Sequence, residues 1–160
     1  MQGFVCVLMV SLFVAGCGSQ KAEEQPVQRE GKGVATAPQN HLEQGVRFLQ
    51  QANPKAAIES FDAAIKENPR DAQGYLVLGQ TYLRMGNLPR AIDTLNAATY
   101  VAPDHGEAYY LLAMSYGLSG KPDLARAYAQ KSIAVFRQSK DEANFKRAIG
   151  LLQSLSQPAE

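Results

Sequence analysis

The sequence predicts an all-α solenoid, built from three helical hairpins in a row and closed by a single capping helix. Three observations carry that reading. From residue 38 onward the chain repeats with a period of 34, and Pro69 and Pro103 stand one period apart. Within each period apolar residues recur at i, i+3, i+4 and i+7, the spacing of one helix face. Between the helical stretches lie Asn53-Pro54, Gly86-Asn87-Leu88-Pro89 and Gly120-Lys121-Pro122. They supply a helix stop and a proline in the first turn of the next helix, where its missing N–H is not needed.

In order along the chain, repeat one (38–71) carries Gly45, Phe48, Ala57, Phe61, Ala64 and Pro69 at its key positions. In repeat two (72–105), Tyr75, Leu78, Gly79 and Tyr82 share one face of a first helix, and Ala91, Leu95 and Ala98 share one face of a second. Repeat three (106–139) begins alike with Tyr109, Leu112, Ala113, Tyr116 and Ala125. It then departs, with Ala129, Ser132 and Arg137 where a larger residue, an alanine and a proline are expected, so its second helix is expected to run on. In 140–156, Phe145, Ala148, Ile149 and Leu152 form a last stripe behind Asp141 as N-cap, while Lys146, Arg147, Gln153 and Ser154 face away. A stacked hairpin buries its apolar face only against a neighbour, so the array needs such a solubilising end. The expectation is seven helices and no sheet.

Reading across the period aligns Gly45, Gly79 and Ala113; Phe48, Tyr82 and Tyr116; Ala57, Ala91 and Ala125; Ala64, Ala98 and Ser132. Small residues fall on small and aromatic on aromatic. This pattern resembles the tetratricopeptide (TPR) repeat, with a small residue where two helices cross, an aromatic one turn later and two alanines in the second helix. The resemblance implies a right-handed superhelix whose concave surface is lined by the first helix of each repeat. It is specific for fold and nearly silent on function.

The N-terminus reads as an address. Residues 1–16 carry no charged side chain, and the apolar run Phe4–Val14 is too short to span a bilayer and has signal-peptide length. Val14-Ala15-Gly16-Cys17 resembles the lipobox of bacterial lipoproteins, which implies a signal peptide over 1–16. By that resemblance Cys17 becomes the first mature residue and carries diacylglycerol and an acyl chain such as palmitate. Gly18 after the cysteine implies the outer membrane, facing the periplasm; an ordinary signal peptide would instead leave a soluble periplasmic protein. Beyond Cys17, the tether to residue 37 has only Val27 and Val34 as large apolar residues and cannot bury enough to order itself. It spans on the order of 25 Å root-mean-square.

Sixteen Lys and Arg against fifteen Asp and Glu leave no basic excess for a nucleic-acid partner. The only cysteines, Cys6 and Cys17, offer neither a disulfide framework nor a cysteine metal site in the repeats. His41, with Glu43 nearby, and His105, after Asp104, read as surface or capping residues, without the spacing of a metal or hydrolase motif. No cofactor and no catalysis are expected. What remains is the helix face beside the packed one: Leu42, Val46, Leu49 and Gln50 in repeat one, then Gln73, Leu76, Gln80, Leu83 and Arg84 in repeat two. Repeat three adds Glu107, Tyr110, Met114 and Leu118. Mostly apolar with a few polar residues, it reads as a groove for a partner peptide or helix.

TPR domains that grip the carboxylate tail of chaperones use Lys and Asn on this face. Here Leu42, Val46, Leu76 and Gln80 stand at those places, so that mode is not implied. Residues 121–160 hold seven basic and four acidic side chains, read as a solvated cap. The expected function is a non-catalytic envelope adaptor binding a protein partner, and the chain resembles the pilotin-type TPR lipoproteins of type IV pilus assembly. The alternatives are a homo-oligomer formed through the apolar surface of repeat one and, remotely, a small hydrolase using His41 or His105.

Overall fold

The structure, a computed structural model, describes residues 40–156, and these form seven α-helices with no strand among them. The signal segment 1–16, Cys17 and the tether to residue 37 lie outside the described residues. In chain order the helices are α1 (His41–Gln50), α2 (Pro54–Glu67), α3 (Ala72–Arg84), α4 (Leu88–Val101), α5 (Gly106–Leu118), α6 (Pro122–Gln138) and α7 (Glu142–Ser156). Consecutive pairs are the three repeats, and α7 is the expected cap. Among the described residues no helix is long and apolar enough to cross a membrane.

Each hairpin closes with the same backbone device. After the first helix one residue turns left-handed: Ala52 at φ 56°, Gly86 at 72° and Gly120 at 71°. The next N–H then reaches back to a carbonyl of that helix, from Asn53 to Phe48, Asn87 to Tyr82 and Lys121 to Tyr116, each at 2.9 Å. These bonds satisfy carbonyls that the helix end would leave open. The same residue starts the second helix, where Asn53 and Asn87 accept the backbone N–H of Ala56 at 3.3 Å and Arg90 at 3.4 Å. Pro54, Pro89 and Pro122 fill the first turn.

Ala52 carries a Cβ where Gly86 and Gly120 carry none. A left-handed residue with a Cβ costs roughly 1–2 kcal/mol, against about 0.5–1 kcal/mol for the extra unfolded-state freedom of glycine. Ala52→Gly is therefore expected to stabilise the protein by about 0.5–1 kcal/mol. Urea denaturation of the two proteins measures this, and a lower midpoint for the glycine variant would refute it.

Between repeats the chain turns differently. Asn68 (φ −135°, ψ 80°) and Ala102 (φ −133°, ψ 85°) leave α2 and α4 outside the helical region, which the following Pro69 and Pro103 disfavour for them. Repeat three has Arg137 in place of that proline. Its α6 runs to 17 residues, against 14 in α2 and α4, and then exits by the hairpin device, with Lys140 at φ 57° and Asp141 N–H on the Phe136 carbonyl at 2.9 Å. Asp141 caps α7, accepting the Asn144 side-chain amide at 2.7 Å and the Asn144 backbone N–H at 3.1 Å. Those two bonds hold its carboxyl below the usual carboxylate range.

Two apolar clusters form the core. One gathers Ala57, Phe61, Leu78, Tyr82 and Ala91 across repeats one and two; the other gathers Leu76, Leu95, Ala98, Ala108, Leu111 and Leu112 across repeats two and three. Glycine makes the crossings close: a Cβ on Gly45 would overlap the Phe61 ring, and one on Gly79 would stand 2.6 Å from Leu95. Repeat three replaces the Gly–large pair by Ala113 and Ala129, both fully buried. Its bulk shifts one residue back to Tyr128, where Ser60 and Thr94 stand in the other repeats, and that ring stacks on Tyr116 at 5.2 Å. Burial and the neighbouring Tyr116 push the Tyr128 phenol up. Ser132, buried in the place of an alanine, donates to the Gly106 carbonyl at 3.0 Å, so its hydroxyl is satisfied. The degenerate third repeat is thus a repacking of the same interface.

Candidate functional site

The first helices α1, α3 and α5, together with α7 and Phe61 of α2, line a row of four adjoining hollows. The first, of about 380 Å³, lies between α1 and α3 over Leu42, Glu43, Val46, Arg47, Gln73 and Val77. Val46 and Val77 continue into a second of about 360 Å³, with Leu49, Gln50, Phe61, Gln80 and Arg84. Gln80 and Arg84 lead into a third of about 410 Å³, walled by Leu83, Glu107, Tyr110, Leu111, Met114, Leu118 and Arg147. Met114 and Leu118 open the fourth, about 190 Å³, onto Gly117, Leu151 and Leu155. Neighbouring hollows share side chains in their walls, so the four adjoin in a row as one groove-like surface.

Twelve of the thirteen residues expected on this face line it. The exception is Leu76, which is only 5% exposed and belongs to the core cluster with Ala108 and Leu111 of the next repeat. On the middle first helix, flanked by a repeat on each side, that position is filled by the neighbour. Its place in the groove is taken by Val77, one residue on and about 100° around the helix. Arg147 is a second correction. Read from sequence as facing away, it lies 4.3 Å over the Tyr110 ring and donates to the two Glu107 carboxylate oxygens at 3.0 and 3.3 Å, bridging α7 to α5. The groove also extends onto Leu151 and Leu155 of the cap, which the three-repeat reading omitted. Their i, i+4 spacing beside the packed stripe was the available signal.

The histidines sit apart from this groove. His41 Nε2 is 3.1 Å from a Glu67 carboxylate oxygen and its Nδ1 is 3.3 Å from the Gln44 side-chain oxygen. His105 precedes α5 without capping it, and its Nδ1 is buried without a hydrogen-bond partner among the described residues. Among those residues no three His, Cys, Asp or Glu side chains gather as a metal site would require.

Comparison with known proteins fits this architecture. Family models described as tetratricopeptide repeat match residues 48–115 and 106–139, together more than half of the chain. The chain belongs to the tetratricopeptide repeat family. Comparison with curated proteins gives no match. Among solved structures, the TPR2B domain of yeast Sti1 in its pHsp70 complex is 18% identical, with a TM-score of 0.70 over 72% of this TPR chain and 93% of that one. The type III secretion translocator chaperone SycD of Yersinia enterocolitica is 15% identical, with a TM-score of 0.66 over 72% and 80%. PcrH, solved with the chaperone binding region of PopD, is 19% identical, with a TM-score of 0.68 over 72% and 88%. At these identities the likeness is one of fold.

Proposed function

We propose that this TPR protein is a non-catalytic adaptor of the bacterial cell envelope, holding a segment of a partner protein in the α1–α3–α5–α7 groove. The observation that carries the reading is the groove itself: four adjoining hollows, each with apolar side chains in its wall and three of them with polar ones as well. TPR domains are generally modules of protein interaction. The structural neighbours include proteins solved with a peptide or partner segment, among them PcrH with the chaperone binding region of PopD and the Spaghetti (RPAP3) TPR with an HSP90 peptide. The lipobox-like Val14-Ala15-Gly16-Cys17 supports an envelope location. Several acyl chains on Cys17 would hold the protein at the outer membrane, since a single chain binds only marginally. A role like that of pilotin-type TPR lipoproteins follows if the captured partner is a secretin or pilus subunit.

The test is palmitate labelling and in-cell crosslinking of the wild-type chain and of Cys17→Ser in the native host. The expected result is label on the wild type alone, with a secretin or pilus subunit crosslinked only to the acylated form. Label on neither protein would remove the lipoprotein reading. Recovery of the chain crosslinked only to itself would replace the adaptor with a self-associating module.

A further inference from the structure

Resting on the groove reading above, we infer that the segment held there is extended, with an acidic residue between two apolar anchors, and that Arg84 selects the acid. Apolar side chains cluster toward each end of the groove. Val46, Leu49 and Val77 form one anchor site between α1 and α3; Leu118, Leu151 and Leu155 form the other between α5 and α7, in a hollow with no polar side chain in its wall. Leu118 is 65% exposed there. Arg84 stands between these ends, on the wall of both the second and the third hollow. It is exposed and has no ion-pair partner among the described residues.

The other charges of the groove leave this role to Arg84. Arg47 is likewise without an ion pair among the described residues, but it lies in the first hollow beside Glu43 and not between the two anchor sites. Arg147 reaches the third hollow but is engaged by Glu107 and stacked on Tyr110, and the same contact answers the negative charge of Glu107. The middle of the groove therefore presents one uncommitted guanidinium, beside Gln50 and Gln80 and between the two apolar clusters, where a carboxylate gains a charge-assisted, bidentate pair. Packed helices lie about 8–10 Å apart, so two steps along the groove separate the anchor sites by roughly 16–20 Å. An extended chain at about 3.3 Å per residue covers that in five or six residues, with the acid near the middle.

Arg84 also sits in the last turn of α3, where a cation is favoured by the helix dipole. A purely structural role of that kind would show in stability and not in the choice of ligand. The experiment is to pan a phage library of random 12-residue peptides on the immobilised full chain, with a Val46→Asp/Leu118→Asp variant to identify groove-dependent clones. Expected are peptides with Asp or Glu between apolar residues five or six apart, whose synthetic forms bind about tenfold better than their Asn or Gln counterparts. Arg84→Ala should erase that preference, Arg84→Lys should retain part of it, and Arg84→Glu should select Lys or Arg instead. Groove-dependent peptides without an acid, or an acid preference that survives Arg84→Ala, overturn the role of Arg84 and leave the adaptor reading intact. A library that yields no groove-dependent peptide overturns both.

Discussion

Gly79→Ala is expected to lower stability by about 1–3 kcal/mol, although alanine is the better helix former by about 1 kcal/mol. The added Cβ would stand 2.6 Å from Leu95, a fully buried side chain that has little room to withdraw. Leu95→Ala alone is expected to cost about 2–5 kcal/mol, from lost burial and the cavity left behind. The double variant recreates the Ala113–Ala129 pair that repeat three already uses at the same crossing. Its Cβ enters the space the leucine vacates, so the double variant should be about 1 kcal/mol or more better than the sum of the singles. Urea denaturation of the four proteins closes the cycle. Additive losses would mean that close approach to Leu95 is not what keeps a glycine at position 79.

Val46→Asp combined with Leu118→Asp is expected to weaken partner capture by about 100-fold or more and to leave the thermal midpoint within a few degrees. Both residues line hollows of the groove, and they are 41% and 65% exposed, so a carboxylate at either place keeps its water in the free protein. In the complex each loses an apolar contact of about 1.5–3 kcal/mol and must be desolvated besides. Leu76→Asp should behave in the opposite way. At 5% exposure within the core cluster, its charge would lie beside Leu95, Leu111 and Leu112 without a partner, and the fold should fail before any binding defect is read. Circular-dichroism melting alongside crosslinking yield separates the two. Undiminished capture by the exposed double variant would take the groove out of the mechanism.

The contrast between Leu76 and its neighbour Val77 marks how far the sequence could be read. The 34-residue period, the prolines at 69 and 103 and the glycines after α3 and α5 are local signals, and the helices and turns they predict are those observed. Most of the groove was legible for the same reason, because a helix face follows from spacing alone. Leu76 was misplaced because its burial depends on Ala108 and Leu111, side chains of the next repeat. Arg147 was misplaced for the same kind of reason, since its partners, Glu107 and Tyr110, lie about forty residues earlier on α5. Period and amphipathicity describe one helix at a time; contacts between layers need the stack.

The two joints at Asn68 and Ala102 differ by only a few degrees in φ and ψ, whereas the exit from α6 uses another geometry altogether. The span 72–105 therefore begins and ends on interchangeable couplings, and a duplicated copy of it would meet a matching coupling on either side. Internal duplication could lengthen the groove by one layer. Beyond Lys140 the matching coupling is gone, so growth of the array by recombination is open in its middle and closed at its cap.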